Sequence, residues 1–180
     1  MNELSNAESA LLGLLSEQPM YPYQIEQEVK YRDMRFWTEL SMSSIYKLLL
    51  KLEKAGFVER TDEISPENRL RKLYSVSDAG RKALQDKLVK LLSEPEHIRW
   101  QVDIATYNCD LLPAETVRAS LNEYRKALEV KIKGYDDLHK FLQDSGCPSH
   151  RMSVATRPVY LLNGEIEWID ALLAQIARGD

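Results

Sequence analysis

The stretch from Ser41 to Arg60, SMSSIYKLLLKLEKAGFVER, puts cations on one side of a helix and an apolar seam on the other. At about 100° per residue, Ile45, Leu48, Leu49 and Leu52 share one arc, with Ala55 at its edge. Lys47, Lys51 and Lys54 occupy the opposite arc together with Ser43. Ammonium groups on a short helix that is packed along its back can neutralise phosphates and reach base edges in a major groove. Lys47 and Lys51 are the best placed for base edges or adjacent phosphates, and Lys54 for the phosphate backbone. Ser43 and Ser44 lie in the first turn, where hydroxyls and unpaired amides can hold a phosphate. Tyr46 falls off both arcs, and packing against the strand-like segment that follows the helix is one reading of it. An ordinary amphipathic helix with solvated lysines would show the same two arcs, and the neighbouring segments decide between the readings.

Ser41 suits the N-cap, where its hydroxyl can accept a first-turn amide. Gly56 suits the position just past the helix end, and Phe57-Val58 then switches to a strand-like pattern. Two such runs, FVERTDEI and RLRKLYSV, are joined by Ser65-Pro66-Glu67-Asn68, which has turn chemistry throughout. The result is a hairpin whose tip carries Arg69, Arg71 and Lys72. Upstream, Ser5-Asn6-Ala7-Glu8 matches a capping box that opens a helix running to about Glu17. Leu11, Leu12, Leu14 and Leu15 are its burial positions, and Pro19 ends it. Pro22 starts a second helix with Ile25 and Val29 inward. Residues 32 to 40 form a connection or short helix carrying Trp37. Ser77 caps a further helix after the hairpin. Three helices followed by a basic hairpin make a winged helix-turn-helix.

Charge is distributed in keeping with that reading. The chain of 180 residues has a net charge of −4, which by itself argues against a polyanionic partner. Residues 1–92 balance 14 cations against 14 anions, whereas residues 41–82 hold 9 against 6. A local basic surface is what phosphate binding requires.

These residues resemble the N-terminal domain of PadR-family transcriptional regulators. The resemblance rests on Ser44-Ile45-Tyr46, on Leu49 with Leu52, and on Ala55-Gly56-Phe57-Val58. Arg71-Lys72-Leu73-Tyr74 and Ser77-Asp78-Ala79-Gly80-Arg81 complete it. Three positions depart from the family pattern: Pro22 stands for a glycine, Lys47 for a proline, and Asn68-Arg69-Leu70-Arg71 for Gly-Arg-Pro-Arg. The resemblance implies a regulator, more often a repressor, bound to double-stranded DNA. It also implies a DNA-facing or helix-positioning role for Tyr46. Some relatives are released from DNA by small aromatic acids or other hydrophobic compounds. Tyr21, Trp37, Trp100, Tyr107, His150 and Arg151 are the candidates here for such an effector, the basic groups pairing a carboxylate and the rings stacking its body. Tryptophans serving only as core and a solvated His150 are the competing reading.

Beyond Pro95, residues 96–110 read as an amphipathic helix bearing Trp100 and Tyr107. A long helix follows from Pro113 to about Ser145, with Val117, Leu121, Tyr124, Leu128, Tyr135, Leu138 and Leu142 in steps of four and three apart from a slot at Lys131. Residues 147–157 read as a loop. A final helix carries Val159, Leu162, Ile166, Ile169, Leu173 and Ile176. Seams this long need an equally long partner surface. A homodimer through Leu121, Tyr124, Leu128, Tyr135, Leu138, Ile166, Ile169 and Leu173 is one solution, and a helical hairpin closing on itself is the other. Two-fold pairing would present two reading helices to successive major grooves and imply an inverted-repeat operator.

The expected fold is thus mainly α with a small β-hairpin: residues 1–92 form a winged helix-turn-helix and residues 93–180 a helical, coiled-coil-like dimerisation domain. No Gly-rich phosphate loop, HExxH, CxxC or nucleophile elbow is present. His97, His139 and His150 lack ligand spacing, so neither an enzyme nor a metal nor a cofactor is expected. No apolar run approaches the roughly 20 residues that span a bilayer. The opening MNELSNAESALLGLL lacks the basic flank of a signal peptide. A cytoplasmic protein with Cys109 and Cys147 as free thiols is expected. A winged helix that binds only protein, with no affinity for DNA, is the contrasting function.

Overall fold

The computed structural model describes residues 3–66 and 68–178, apart from the side chains of Phe36 and Met42. The chain divides into two compact units, Met1–His97 and Ile98–Asp180.

The first unit opens with α1 (Asn6–Leu15). Its capping box forms as expected: the Ser5 amide donates to Glu8 Oε2 at 2.8 Å, and the Glu8 amide to Ser5 Oγ at 3.2 Å. Helix α2 (Pro22–Tyr31) starts with proline at its first position, where a missing amide costs nothing. Arg32, just past its end, bridges Glu17 and Glu28, each at 2.7 Å. A 3-10 turn, Met34–Phe36, leads to α3 (Met42–Lys54). Gly56 then adopts a φ of 74°, the left-handed geometry that ends a helix and frees the chain to start a strand.

Strands β1 (Val58–Ile64) and β2 (Leu70–Val76) form an antiparallel hairpin from Val58↔Val76 to Ile64↔Leu70. Its turn closes through Asn68, whose φ is 57° and whose amide donates to the Ser65 carbonyl at 2.9 Å. Glu67, in the middle of the predicted turn, lies outside the described residues. Met20 pairs with Tyr74 through two backbone hydrogen bonds, which adds a one-residue third strand to the sheet. Helix α4 (Asp78–Ser93) begins directly behind the hairpin. Ser77 Oγ accepts the Gly80 amide at 3.0 Å and donates to the Gly56 carbonyl at 2.6 Å. One core gathers Leu11, Leu12 and Leu15 of α1, Ile25 and Val29 of α2, Ile45, Leu49 and Leu52 of α3, Val58 and Tyr74 of the hairpin, and Leu84 of α4. Those of α1, α2 and α3 are inward positions read from periodicity.

The second unit departs from expectation in two places. The helix expected over 96–110 shortens to α5 (Gln101–Tyr107), with Trp100 at its N-cap. The loop expected over 147–157 is mostly helical: a 3-10 turn, Ser149–Arg151, runs into α7 (Ser153–Arg178). Pro158 sits inside α7 in its second turn, so only one backbone hydrogen bond is missing there. Of the two solutions offered for the seam, the self-closing one is seen within the chain: α6 (Ala114–Asp144) and α7 pack on each other as an antiparallel hairpin. Leu121, Tyr124 and Leu128 meet Ile166, Ile169 and Leu173 in one cluster, with Leu121, Leu128 and Ile169 buried. The long partner surface that the seam requires is supplied by the same chain. These six residues pack together within the hairpin. Tyr135 and Leu138 are half-buried on α6, outside that cluster. Tyr124 donates its hydroxyl proton to Glu165 at 2.5 Å, and Arg125 pairs with Asp170 at 2.8 Å. Burial, and then the Glu165 bond, push the Tyr124 phenol up to about 12.

Candidate nucleic-acid interface

The rear of α3 is fixed by Ile45, Leu49 and Leu52, all essentially inaccessible. That burial sets the rotation of the helix and leaves Ser43, Tyr46, Lys47, Leu50, Lys51 and Lys54 on its exposed side. The first turn is capped differently from the expected pattern. The Ser41 amide donates to Ser44 Oγ at 3.0 Å, and Ser44 Oγ donates to the Ser41 carbonyl at 2.7 Å. Ser41 Oγ instead lies 3.3 Å from Ser43 Oγ. Ser44 is thus committed to the cap, and of the two serines in the first turn Ser43 is the exposed one.

The predicted cations fall into two groups. Lys51 Nζ lies 2.7 Å from Oε1 of Glu8, so its ammonium is drawn back against α1 although the side chain is 59% exposed. Burial would raise the Glu8 carboxyl, but Lys51 and Ser5 outweigh it and hold the group below its ordinary value. Arg71 lies over the Tyr21 ring, 6.0 Å from its centroid. Tyr21 stacks on Tyr23 with centroids 5.8 Å apart and donates its hydroxyl proton to Glu63, the cross-strand partner of Arg71. Lys51 and Arg71 therefore join elements together.

Lys47, Lys54, Arg69 and Lys72 form the other group. All four are exposed, and none has an ion-pair partner among the described residues. The cross-strand neighbour of Lys72 is Asp62, whose carboxylate is taken by Arg60 at 3.0 Å. Two features escape a reading of the sequence alone. Leu50 lies on the outward face of α3 at 56% exposure, and Ile64 with Leu70 forms an exposed apolar pair at the hairpin tip. The angular position of Leu50 is the signal that could have found it. Tyr46 is 53% exposed.

Residues 11–86, which run from the second half of α1 through α2, α3 and the hairpin into α4, match the Transcriptional regulator PadR-like family. The PadR-like match lies in this N-terminal segment. Over 176 residues it is 24% identical to the negative transcriptional regulator PadR of Bacillus subtilis (strain 168), covering 94% of this chain and 96% of that one. Its fold matches Bacillus subtilis PadR solved in complex with operator DNA, at a TM-score of 0.75 and 22% identity over 94% of this chain and 98% of that chain. It also matches the same protein solved with p-coumaric acid, at a TM-score of 0.77 and 22% identity over 94% of each chain. The winged-helix and helical parts of this PadR-like chain are thus both features of the related fold. The family is one of transcriptional regulators, which is not an enzyme class. Among the described residues no helix is long and apolar enough to cross a membrane, and no His, Cys, Asp and Glu cluster could hold a metal ion.

The residues considered for an aromatic effector are divided between the two units. Tyr21 and Trp37 belong to the first, and Trp100, Tyr107, His150 and Arg151 to the second. Tyr21 is already engaged by Glu63 and Arg71. Trp37 is exposed after the 3-10 turn before α3. Trp100 and Tyr107 bracket α5, and Tyr107 is 88% exposed. His150 and Arg151 lie in the turn between α6 and α7.

Proposed function

We propose that this chain is a DNA-binding transcriptional repressor that grips an inverted-repeat operator as a homodimer. In this reading residues 1–92 bind DNA, with helix 42–55 in the major groove and the wing, 57–76, on phosphates or the minor groove. The observation that carries it is the set of exposed cations that pair with no acid among the described residues, Lys47 and Lys54 on α3 and Arg69 and Lys72 on the hairpin. Ser43 and Tyr46 border the two lysines on the same exposed side of α3. Lys51 and Arg71 serve the same surface by fixing its two elements.

Residues 93–180 supply the dimer contact. Besides the half-buried seam residues Tyr124, Ile166 and Leu173, the outward apolar groups Ile104, Tyr107, Tyr160, Leu161 and Trp168 are exposed and available to a second copy. The kinship with a negative regulator solved on operator DNA supports repression. The likeness to a chain solved with p-coumaric acid supports release by a small aromatic acid.

The test is fluorescence anisotropy of a labelled duplex titrated with protein at several salt concentrations. Binding at micromolar protein or tighter at low salt, falling steeply as salt rises, is expected. A winged helix that binds only protein would show no salt-sensitive affinity for any duplex. Quenching of tryptophan fluorescence by a panel of small aromatic acids tests the effector, and no response at millimolar levels ends that part of the reading.

A further inference from the structure

We infer that Leu50 is a specificity-determining residue that reads a thymine methyl group in the major groove. The inference rests on the DNA-binding reading above. At about 100° per residue, Leu50 lies about 20° from Ser43 and about 40° from both Tyr46 and Lys54, near the middle of the outward arc. Its side chain is 56% exposed and stands outside the core cluster, which Ile45, Leu49 and Leu52 complete without it. Lys51, its neighbour in sequence, has its ammonium held by Glu8 at 2.7 Å and leaves the centre of the face to the leucine. Every other residue near this centre is polar or amphipathic.

An apolar, branched side chain cannot serve a phosphate. On the floor of the major groove the C5-methyl of thymine is the one apolar group, and it distinguishes T·A from the other base pairs. Leu50 flanked by Lys47 and Lys54 therefore fits a base edge carrying that methyl, with the lysines on the adjacent backbone. In a homodimer the contact occurs twice, at one symmetric pair of positions.

The experiment takes the duplex that the full-length protein selects from a random pool and replaces each thymine in turn by uracil, which removes only the methyl. At one symmetric pair, wild-type affinity should fall by about fourfold per site, the value of one buried methyl. The Leu50→Ala variant should bind the thymine duplex correspondingly less tightly and bind the thymine and uracil duplexes equally. Leu50 is outside the core, so circular dichroism of Leu50→Ala should match the wild type. If wild-type protein selects a duplex and binds it in a salt-dependent way but is indifferent to every uracil replacement, the inference is overturned while DNA binding stands. The same holds if Leu50→Ala keeps the full thymine preference. Failure to bind any duplex would instead overturn the DNA-binding reading itself.

Discussion

Oε1 of Glu8 lies 2.7 Å from Nζ of Lys51, and its other oxygen, Oε2, accepts the Ser5 amide at 2.8 Å. One carboxylate, whose side chain is only 3% exposed, thus caps α1 and tethers α3. Its pKa is depressed in the folded state by Lys51 and Ser5 despite burial, which opposes them. The stabilisation is therefore present above the ordinary carboxylate range and fades as pH falls through the lowered folded value. Glu8→Gln should cost about 1.5–3 kcal/mol at neutral pH, the worth of a hydrogen bond to a charged group. Urea denaturation at pH 7 and at successively lower pH checks this, with the gap between variant and wild type closing in acid.

Because its ammonium is engaged, Lys51 should behave differently from the lysines flanking it. Lys47→Ala, Lys54→Ala, Arg69→Ala and Lys72→Ala should each lower the slope of log affinity against log salt by about 0.9 for every phosphate that the truncated side chain no longer neutralises. Lys51→Ala should weaken binding mainly through stability and leave that slope within error of the wild type. Anisotropy titrations across a salt series separate the two behaviours.

The start of α4 is set by backbone proximity. A Cβ on Gly80 would lie 2.0 Å from the Phe57 carbonyl oxygen, so the helix or the α3–β1 turn would have to move. Ser77 binds the same turn through the Gly56 carbonyl. Gly80→Ala should destabilise the first unit by about 1–3 kcal/mol, as overpacking does. Gly134→Ala, where nothing lies within 4 Å of the added carbon, is the control and should not destabilise. Thermal melts of the two variants give the comparison.

In the second unit, the Tyr124 phenol is raised to about 12 by burial and the Glu165 bond. The folded state holds this proton more tightly than the unfolded chain, so its contribution is complete below about pH 10. It disappears as pH rises through about 12. Tyr124→Phe should make unfolding less dependent on pH in that window, as followed by helical circular dichroism.

The winged helix was legible because its signals are local. Ser5 with Glu8, Pro22, Gly56 and Ser77 each mark a boundary through their own backbone chemistry, and α1 to α3 declare their buried faces by spacing. The interface residues were legible only as residue types. Which cations stay unpaired depends on contacts far apart in sequence: Glu8 and Lys51 are 43 residues apart, and Tyr21 and Glu63 are 42 apart. Nothing local to Lys51 or Arg71 reveals those partners. The α6–α7 seam was legible as a seam, but periodicity does not say whether its complement lies in the same chain. The helical turn after Pro148 returns α7 along α6. Leu50 is hidden in the sequence because it stands in LLLKL among leucines that do belong to the core.

Selection of duplexes from a random pool by the purified full-length protein tests the central claim most directly, namely that α3 and the hairpin tip form one DNA-reading surface presented twice by a dimer. The expected product is an inverted repeat whose half-sites are centred about 10 base pairs, or a multiple of one helical turn, apart. A pool that shows no enrichment, or that enriches a single unrepeated site, would contradict it.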